Sequence, residues 1–540
     1  MLISPSSVAL FLALSIFKFA TASPHWILAE QDSIATSSLH IRRQTPNTNI
    51  EELYVELPID HNDTSATLNG SNTFWHRYWV DDEFYQDGGP VFIYDVGELD
   101  GSTKYENFLT NDTVYFRQLM RNYSGIGIVW EHRYYGNSTP VVIDSNTTAE
   151  DLKYLNTQQS LADLDAFARQ FSSPQTNLSL TPDAVPWVMT GGSYPAMRAV
   201  FMRNWYPDTI YAAFASSAPV EASVDMSFYW DPVPKGMRAY GYGNCTNDIH
   251  TAIVHMDKLM EDPAKAAALK VKFLGLGADK NDNPTFADAL NCIFWYWQGW
   301  GMGTTQTFQL RDFCDYIETD PATNDTAPEE GWAASKGVDY TIDRWASYPK
   351  FITVVNLFLD TNCTGSQTEE VPDCDLNKPF TDPSTIAWTW QYCTQWGEFQ
   401  YYNAGPDQII SKYNDLQHQI DICHRQFPTG LPEVPDTNAT NAIFGGWSTR
   451  PSNTYWSGGE FDPWRTLSPL SDEPFAPNVT TFTEPPECGV GSDLDEIFGY
   501  IMPNSEHEFD ITAKGTEWPE SVEVFTKALD KWLKCYKPKV

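Results

Sequence analysis

The first 244 residues contain no cysteine, and basic residues are scarce throughout: 34 Lys and Arg against 71 Asp and Glu, a net charge of −37. The first shortage confines any disulfide framework to the middle and C-terminal parts of the chain. The second excludes nucleic acid and anionic membranes as partners, because both would be repelled. No CxxC pair or Cys/His cluster has the spacing of a zinc site, so neither a metal nor another cofactor is expected. Internal repeats and low-complexity tracts are also missing. After the N-terminal leader, no segment is long and apolar enough to span a bilayer.

What is present is a chain of 540 residues, 42% hydrophobic and 14% aromatic, with 20 Trp. That composition rules out global disorder, and the length calls for one large domain with an insertion, or for two domains. The opening "MLISPSSVALFLALSIFKFATAS" has an apolar run from Val8 to Phe17 followed by Ala20-Thr21-Ala22. It reads as a secretory signal peptide over 1–22, with 23–44 a pro-segment or polar tail ending near Arg42-Arg43. Sequons at Asn62, Asn69, Asn111, Asn122, Asn137, Asn146, Asn177, Asn244, Asn324, Asn362, Asn438 and Asn478 suit a glycoprotein surface. The nine cysteines leave at least one thiol unpaired, and spacing leaves their connectivity open. These features place the protein outside the cell or in an acidic vacuolar or lysosomal compartment. The excess of carboxylates fits a working pH below neutral.

From 45 to 220, short apolar runs (89–97, 125–132, 186–191, 211–219) alternate with helical stretches such as 147–171. This predicts an α/β fold with a parallel sheet covered by helices. From 221 to 425 the pattern turns helical and rich in Trp, Tyr and Cys, as in 248–275, which predicts an inserted cap. From 426 to 540 strands return at 453–461 and 496–503. An amphipathic helix closes the chain at 519–536, with Val522, Phe525, Leu529, Trp532 and Leu533 on one face.

Within "VMTGGSYPAM", Ser193 follows a strand and two glycines and precedes a helical pattern. That is the setting of a nucleophile elbow, in which a sharp turn lifts the hydroxyl above the strand ends. Pro195 stands where such turns carry a small residue. A serine nucleophile needs a base and an acid to orient it, in the chain order Ser, Asp, His for this architecture. His507, in "NSEHEFD", is the only histidine after the returning strands begin. Asp462, in "SGGEFDPWR", sits in a tight turn after a strand; Asp472, Asp493 and Asp495 compete from polar loops. The ordinary alternatives are a loop serine, a turn-capping aspartate and a surface histidine.

These blocks, with "EHRYYGNSTP", "LNTQQSLADLDAF", "SSAPV" and "WTWQYCTQWGEF", occur in one order over most of the chain after residue 50. In them the chain resembles the prolyl-carboxypeptidase and dipeptidyl-peptidase II family of serine peptidases, including its fungal secreted acid prolyl peptidases. The resemblance implies an α/β-hydrolase domain with a helical cap, and cleavage of proline-containing peptides after proline. It also implies Ser193, Asp462 and His507 as triad, a monomer or dimer, and a proline pocket lined by Met197 and Trp464. An oxyanion hole is expected from the Tyr194 N–H and a second donor near Gly97 and Glu98. Departures from the family pattern are Pro195-Ala196, Gly458, Gln395 and Glu508. Glu131 and Arg133 of "EHRYYG" are expected to satisfy each other beneath the sheet. The competing readings are an esterase on the same fold and an inactive peptide-binding glycoprotein.

Overall fold

Along Val91–Asp95, Val91 and Ile93 join one apolar core while Phe92 and Tyr94 join another. Along Ala212–Ser216, Ala213 and Ala215 belong to the first core and Ala212 and Phe214 to the second. Successive side chains point to opposite faces of a strand, so such runs belong to a sheet covered on both sides. The computed structural model describes residues 43–44, 50–63, 72–174, 178–303, 310–369 and 374–539.

Among the described residues the sheet has ten strands. They are β1 (Arg43–Gln44), β2 (Glu51–Pro58), β3 (Thr73–Asp81), β4 (Val91–Asp95), β5 (Ile126–Trp130), β6 (Trp187–Gly192) and β7 (Ala212–Ser216), then, beyond the short strands β8 (Ser223–Asp225) and β9 (Gly397–Phe399), β10 (Thr454–Gly459), β11 (Thr480–Phe482) and β12 (Glu496–Met502). Their order is β1-β2-β3-β5-β4-β6-β7-β10-β12-β11. The pairs β1–β2, β2–β3 and β3–β5 are antiparallel. All later pairs, from β5–β4 to β12–β11, are parallel. This mixed sheet, with its strand–turn–helix at the end of β6, is an α/β-hydrolase fold.

Helices cover both faces. On one, Tyr115–Asn122 packs with the C-terminal helix Trp518–Trp532, where Val522, Phe525, Leu529 and Trp532 are buried and Leu533 packs at the edge. On the other, Thr157–Ala168 packs with Tyr194–Trp205. Two expected helices are shorter than their patterns. The stretch 147–171 runs through turns until the Asn156 side chain caps Thr157–Ala168 by accepting from Gln159 N–H. The stretch 248–275 is split into Gly243–Leu259 and Pro263–Leu274 at Asp262, whose carboxylate accepts from the Ala264 and Lys265 N–H groups. Proline cannot continue a helix but starts one well, and an aspartate before it is a strong cap.

Between β7 and β10 the chain is mainly helical. β8 pairs with β9 in a separate parallel ladder, tying residues 223–225 to 397–399 where this segment meets the sheet. Disulfides Cys245–Cys314, Cys363–Cys374 and Cys393–Cys423 staple it. Cys488–Cys535 ties the end of the C-terminal helix to the loop before β12. Cys292 is a buried free thiol, its pKa pushed up by that burial.

The expected signal peptide and nearly all of 23–44 lie outside the described residues, as do the sequons at Asn69 and Asn177. Of the other sequons, Asn111 and Asn244 are half-buried and the rest are exposed. No helix among the described residues is long and apolar enough to cross a membrane.

Candidate active site

β6 ends in Gly191-Gly192, and the next residue, Ser193, has φ 61° and ψ −131°. That is a conformation L-residues seldom adopt, and it aims the side chain off the end of the strand. Packing enforces the turn. A Cβ on Gly191 would lie 2.5 Å from the Pro195 carbonyl carbon, and one on Gly192 would collide with the Glu508 carboxyl. Pro195 falls in the first turn of Tyr194–Trp205, where a missing N–H breaks no helical bond. Its ring fills the space a side chain would need at Gly97, whose φ is +64°. The bulky ring is therefore accommodated by glycines on two neighbouring segments. The Ser193 N–H donates to the Ser216 carbonyl of β7 at 2.9 Å, and the side chain is 4% exposed.

Asp462 lies just past β10, in the turn that opens a short helix, Pro463–Leu467. Its Oδ1 accepts the Trp464 N–H at 2.9 Å and lies 2.9 Å from His507 Nδ1. Both side chains are buried. His507 follows β12, and its N–H donates to the Gln298 carbonyl at 3.0 Å, so the helical segment helps to place it. Burial works against a charged imidazole, but the charge of Asp462 and its hydrogen bond outweigh that and hold the His507 pKa above its ordinary value. His507 Nε2 is buried with no hydrogen-bond partner among the described residues; Glu508 Oε1 stands 4.0 Å away. Ser193 Oγ therefore does not hydrogen-bond to the imidazole in this state. Such bonds often tighten only with substrate. Of the competing acids, Asp472 pairs with Arg465 at 2.9 Å, and Asp493 and Asp495 are exposed.

The Tyr194 N–H, first in its helix, has no intrahelical acceptor. The Gly97 N–H, expected as a second oxyanion donor, instead donates to Asp95 Oδ1 at 2.9 Å. The buried Asp95 carboxylate, paired with Arg198, takes it. The next N–H of that loop, on Glu98, meets its own carboxyl.

Two hollows meet at Ser193. The larger, about 320 Å³, is lined by Trp300, Trp518, Lys104, Lys514, Glu508 and Glu98 among others. The smaller is nearly filled and is lined by Met197, Trp388, Trp464, Pro219, Glu98 and Glu398. Trp464 is fixed there by its indole N–H, which donates to Gln298 Oε1 at 3.0 Å. Sequence reasoning missed Gln298, Trp388 and Glu398. A lone acid inside the aromatic run "QWGEFQYY" is a signal that was available for Glu398; Gln298 carries none.

The expected Glu131–Arg133 pair does not form. The strand ends at Trp130 and the chain turns, so the two side chains part. Glu131 instead takes Arg77 (2.6 Å) with the Gly101, Asn137 and Ser138 N–H groups, and burial lifts its pKa to about 7. Arg133 takes Asp163 through both carboxylate oxygens, at 2.6 and 2.7 Å. It also donates to the carbonyls of Pro58, Ile59 and Tyr154.

The chain resembles a "Probable extracellular serine carboxypeptidase" of Arthroderma benhamiae, 27% identical over 80% of this chain. It spans 62% of that relative's length. It is 23% identical to the "Lysosomal Pro-X carboxypeptidase" of Bos taurus over 89% of this chain and 87% of the relative. Among solved structures, an acetylester hydrolase from Corynebacterium glutamicum aligns at 11% identity over 88% of this chain and 96% of that one, with a TM-score of 0.33. Residues 58–482 match the model of the family described as Serine carboxypeptidase S28. The match covers well over half of the sequence, and the chain belongs to this family of serine-type peptidases.

Proposed function

We propose that this chain is a secreted peptidase that hydrolyses peptide bonds after proline by acyl transfer through Ser193. The observation that carries the reading is a convergence. One serine, on a strained elbow, borders a small pocket walled by Met197 and Trp464, and the Trp464 ring lies 6.1 Å from the ring of His507, which is paired with Asp462. In this reading His507 Nε2 takes the Ser193 proton as Oγ attacks the carbonyl after proline. Asp462 holds the imidazole and stabilises its charged form, and the Tyr194 N–H receives the oxyanion with a second donor from the loop at Gly97 and Glu98 once substrate is bound. His507 then protonates the departing amine, and water reverses the sequence on the acyl-enzyme. A proline ring is apolar and flat enough to pack on an indole face beside a methionine. The pocket is nearly filled in this state, so a ring enters as these side chains give way. The name of the bovine relative, a Pro-X carboxypeptidase, points to the same substrate class.

The test is mass spectrometry of products from proline-containing peptides with free and with blocked ends. Cuts after proline are expected. Equal cutting after Leu, Phe and Pro would sink the prolyl assignment.

The acidic surface and the lysosomal relative suit an acidic compartment, but the base pulls the other way. His507 must be neutral to accept the serine proton, and its pKa is raised, so kcat/KM rises with pH through a limb above the ordinary imidazole range. Glu508 adds to this, because its carboxylate favours the imidazolium. Glu508→Gln is expected to move that limb to lower pH by a fraction of a unit. An unmoved limb, or one shifted upward, in pH–rate profiles of the two proteins would remove Glu508 from the account.

A further inference from the structure

Glu98 and Glu398 are each 2% exposed and line one pocket with Ser193, Met197 and Trp464. Glu398 sits on β9, where the helical segment meets the sheet, with φ +59°. Its Oε1 is buried and has no hydrogen-bond partner among the described residues. A buried carboxylate without a cation is expensive, and a second carboxyl beside it makes two charges harder still. The groups around the pair offer little relief. Asp95 and Glu508 are themselves acids, Tyr135 adds no positive charge, Arg198 is committed to Asp95 and the Ser160 carbonyl, and the Glu98 N–H meets only its own carboxyl; Lys104 and Lys514 line the larger hollow that Glu98 also borders, but not the pocket that holds Glu398. Burial lifts Glu98 to about 8, and burial together with Glu98 lifts Glu398 as well. The pair holds at least one proton over the acidic and neutral range, so it offers the pocket a hydrogen-bond donor.

Proline at the cleaved position lacks an N–H. The acyl side of a prolyl substrate therefore presents an apolar ring and, directly before it, a peptide carbonyl. We propose that the protonated Glu398 carboxyl donates a hydrogen bond to the carbonyl of the residue preceding proline, and so selects substrates that extend at least one residue beyond it. This rests on the prolyl reading above. It makes Glu398 a specificity residue that touches substrate and takes no proton in the reaction.

Three fluorogenic amides separate the possibilities: acetyl-Ala-Pro-, Ala-Pro- and Pro-aminomethylcoumarin. The first two carry the carbonyl, and the last two carry an ammonium. Wild type is expected to cut the first two alike and the third poorly. Glu398→Leu should raise KM for the first two by about 3- to 10-fold, the loss of one hydrogen bond, and leave the third unchanged. Glu398→Gln keeps a donor that cannot ionise. Wild-type KM for the acetylated substrate should climb as pH rises through the titration of the pair, while that of Glu398→Gln stays flat. Fluorophosphonate labelling of Ser193 checks that each variant is folded. A wild type that cuts none of the three and also leaves acetyl-Ala-Pro-Phe and Pro-Phe whole overturns the prolyl reading itself; one that cuts only these free-ended peptides carries the same KM comparison on them. A wild type that cuts them while Glu398→Leu changes no KM overturns the inference alone. A preference of tenfold or more for the free-amine substrates, lost in Glu398→Leu, also overturns it, and shows an anionic pair clasping an ammonium.

Discussion

Ser193→Ala lowers kcat/KM on prolyl substrates by about 10⁴- to 10⁶-fold, with an unfolding midpoint within about 2 °C of wild type. The size of the effect follows from the role proposed for it: without Oγ no acyl-enzyme forms, and only the oxyanion donors and binding remain. The stability should hold because the elbow is built by its neighbours. Gly191 and Gly192 admit the Pro195 backbone and the Glu508 carboxyl, and the residue 193 N–H still reaches the Ser216 carbonyl. Turnover within tenfold of wild type, in protein that no longer reacts with a fluorophosphonate at residue 193, would show that another group is the nucleophile.

Arg133→Met is expected to cost about 3–5 kcal/mol of stability at neutral pH. Arg133 and Asp163 are both fully buried, and removing the cation strands a carboxylate and three carbonyls. Burial by itself would raise the Asp163 pKa; the charge and hydrogen bonds of Arg133, helped by His61, bring it below the usual carboxylate range. A depressed folded-state pKa contributes stability above the unfolded value, near 4, that is lost as pH falls through the folded value. The gap between the two proteins should therefore narrow below about pH 4. Equilibrium denaturation at pH 7 and pH 3.5 measures it. A loss under 1 kcal/mol at pH 7 would mean that the site relaxes or admits water in place of the guanidinium.

The sheet was legible because its signal is local. Runs such as "GPVFIYDVG" and "YAAFASSAP" are apolar on both alternating faces through "VFIY" and "AAFA", the pattern of a strand covered on both sides. β2 was not, because "EELYVELP" mixes acids with apolar residues at an antiparallel edge. The overlong helix at 248–275 carried its own correction in Asp262-Pro263, a cap and a helix start placed inside an unbroken apolar pattern. The Glu131–Arg133 expectation failed for a different reason. Proximity in sequence suggested a partner, while the partners used, Arg77 and Asp163, come from 54 and 30 residues away.

By itself the sequence determined the alternation of strand and helix, the order serine, aspartate, histidine, and the glycines that let a serine adopt a positive φ. These are short-range properties, set by side-chain size, backbone freedom and periodicity. Only the tertiary structure decided which groups share a dielectric. It put Asp462 against His507, set Glu508 beside Nε2, turned Gly97 N–H toward Asp95, and buried Glu98 and Glu398 in one pocket with no cation facing it. Those placements depend on where the whole fold sets each segment: Glu98 and Glu398 share a pocket although they lie far apart in the chain, and burial and charge act through space, where neither is written in the order of the residues.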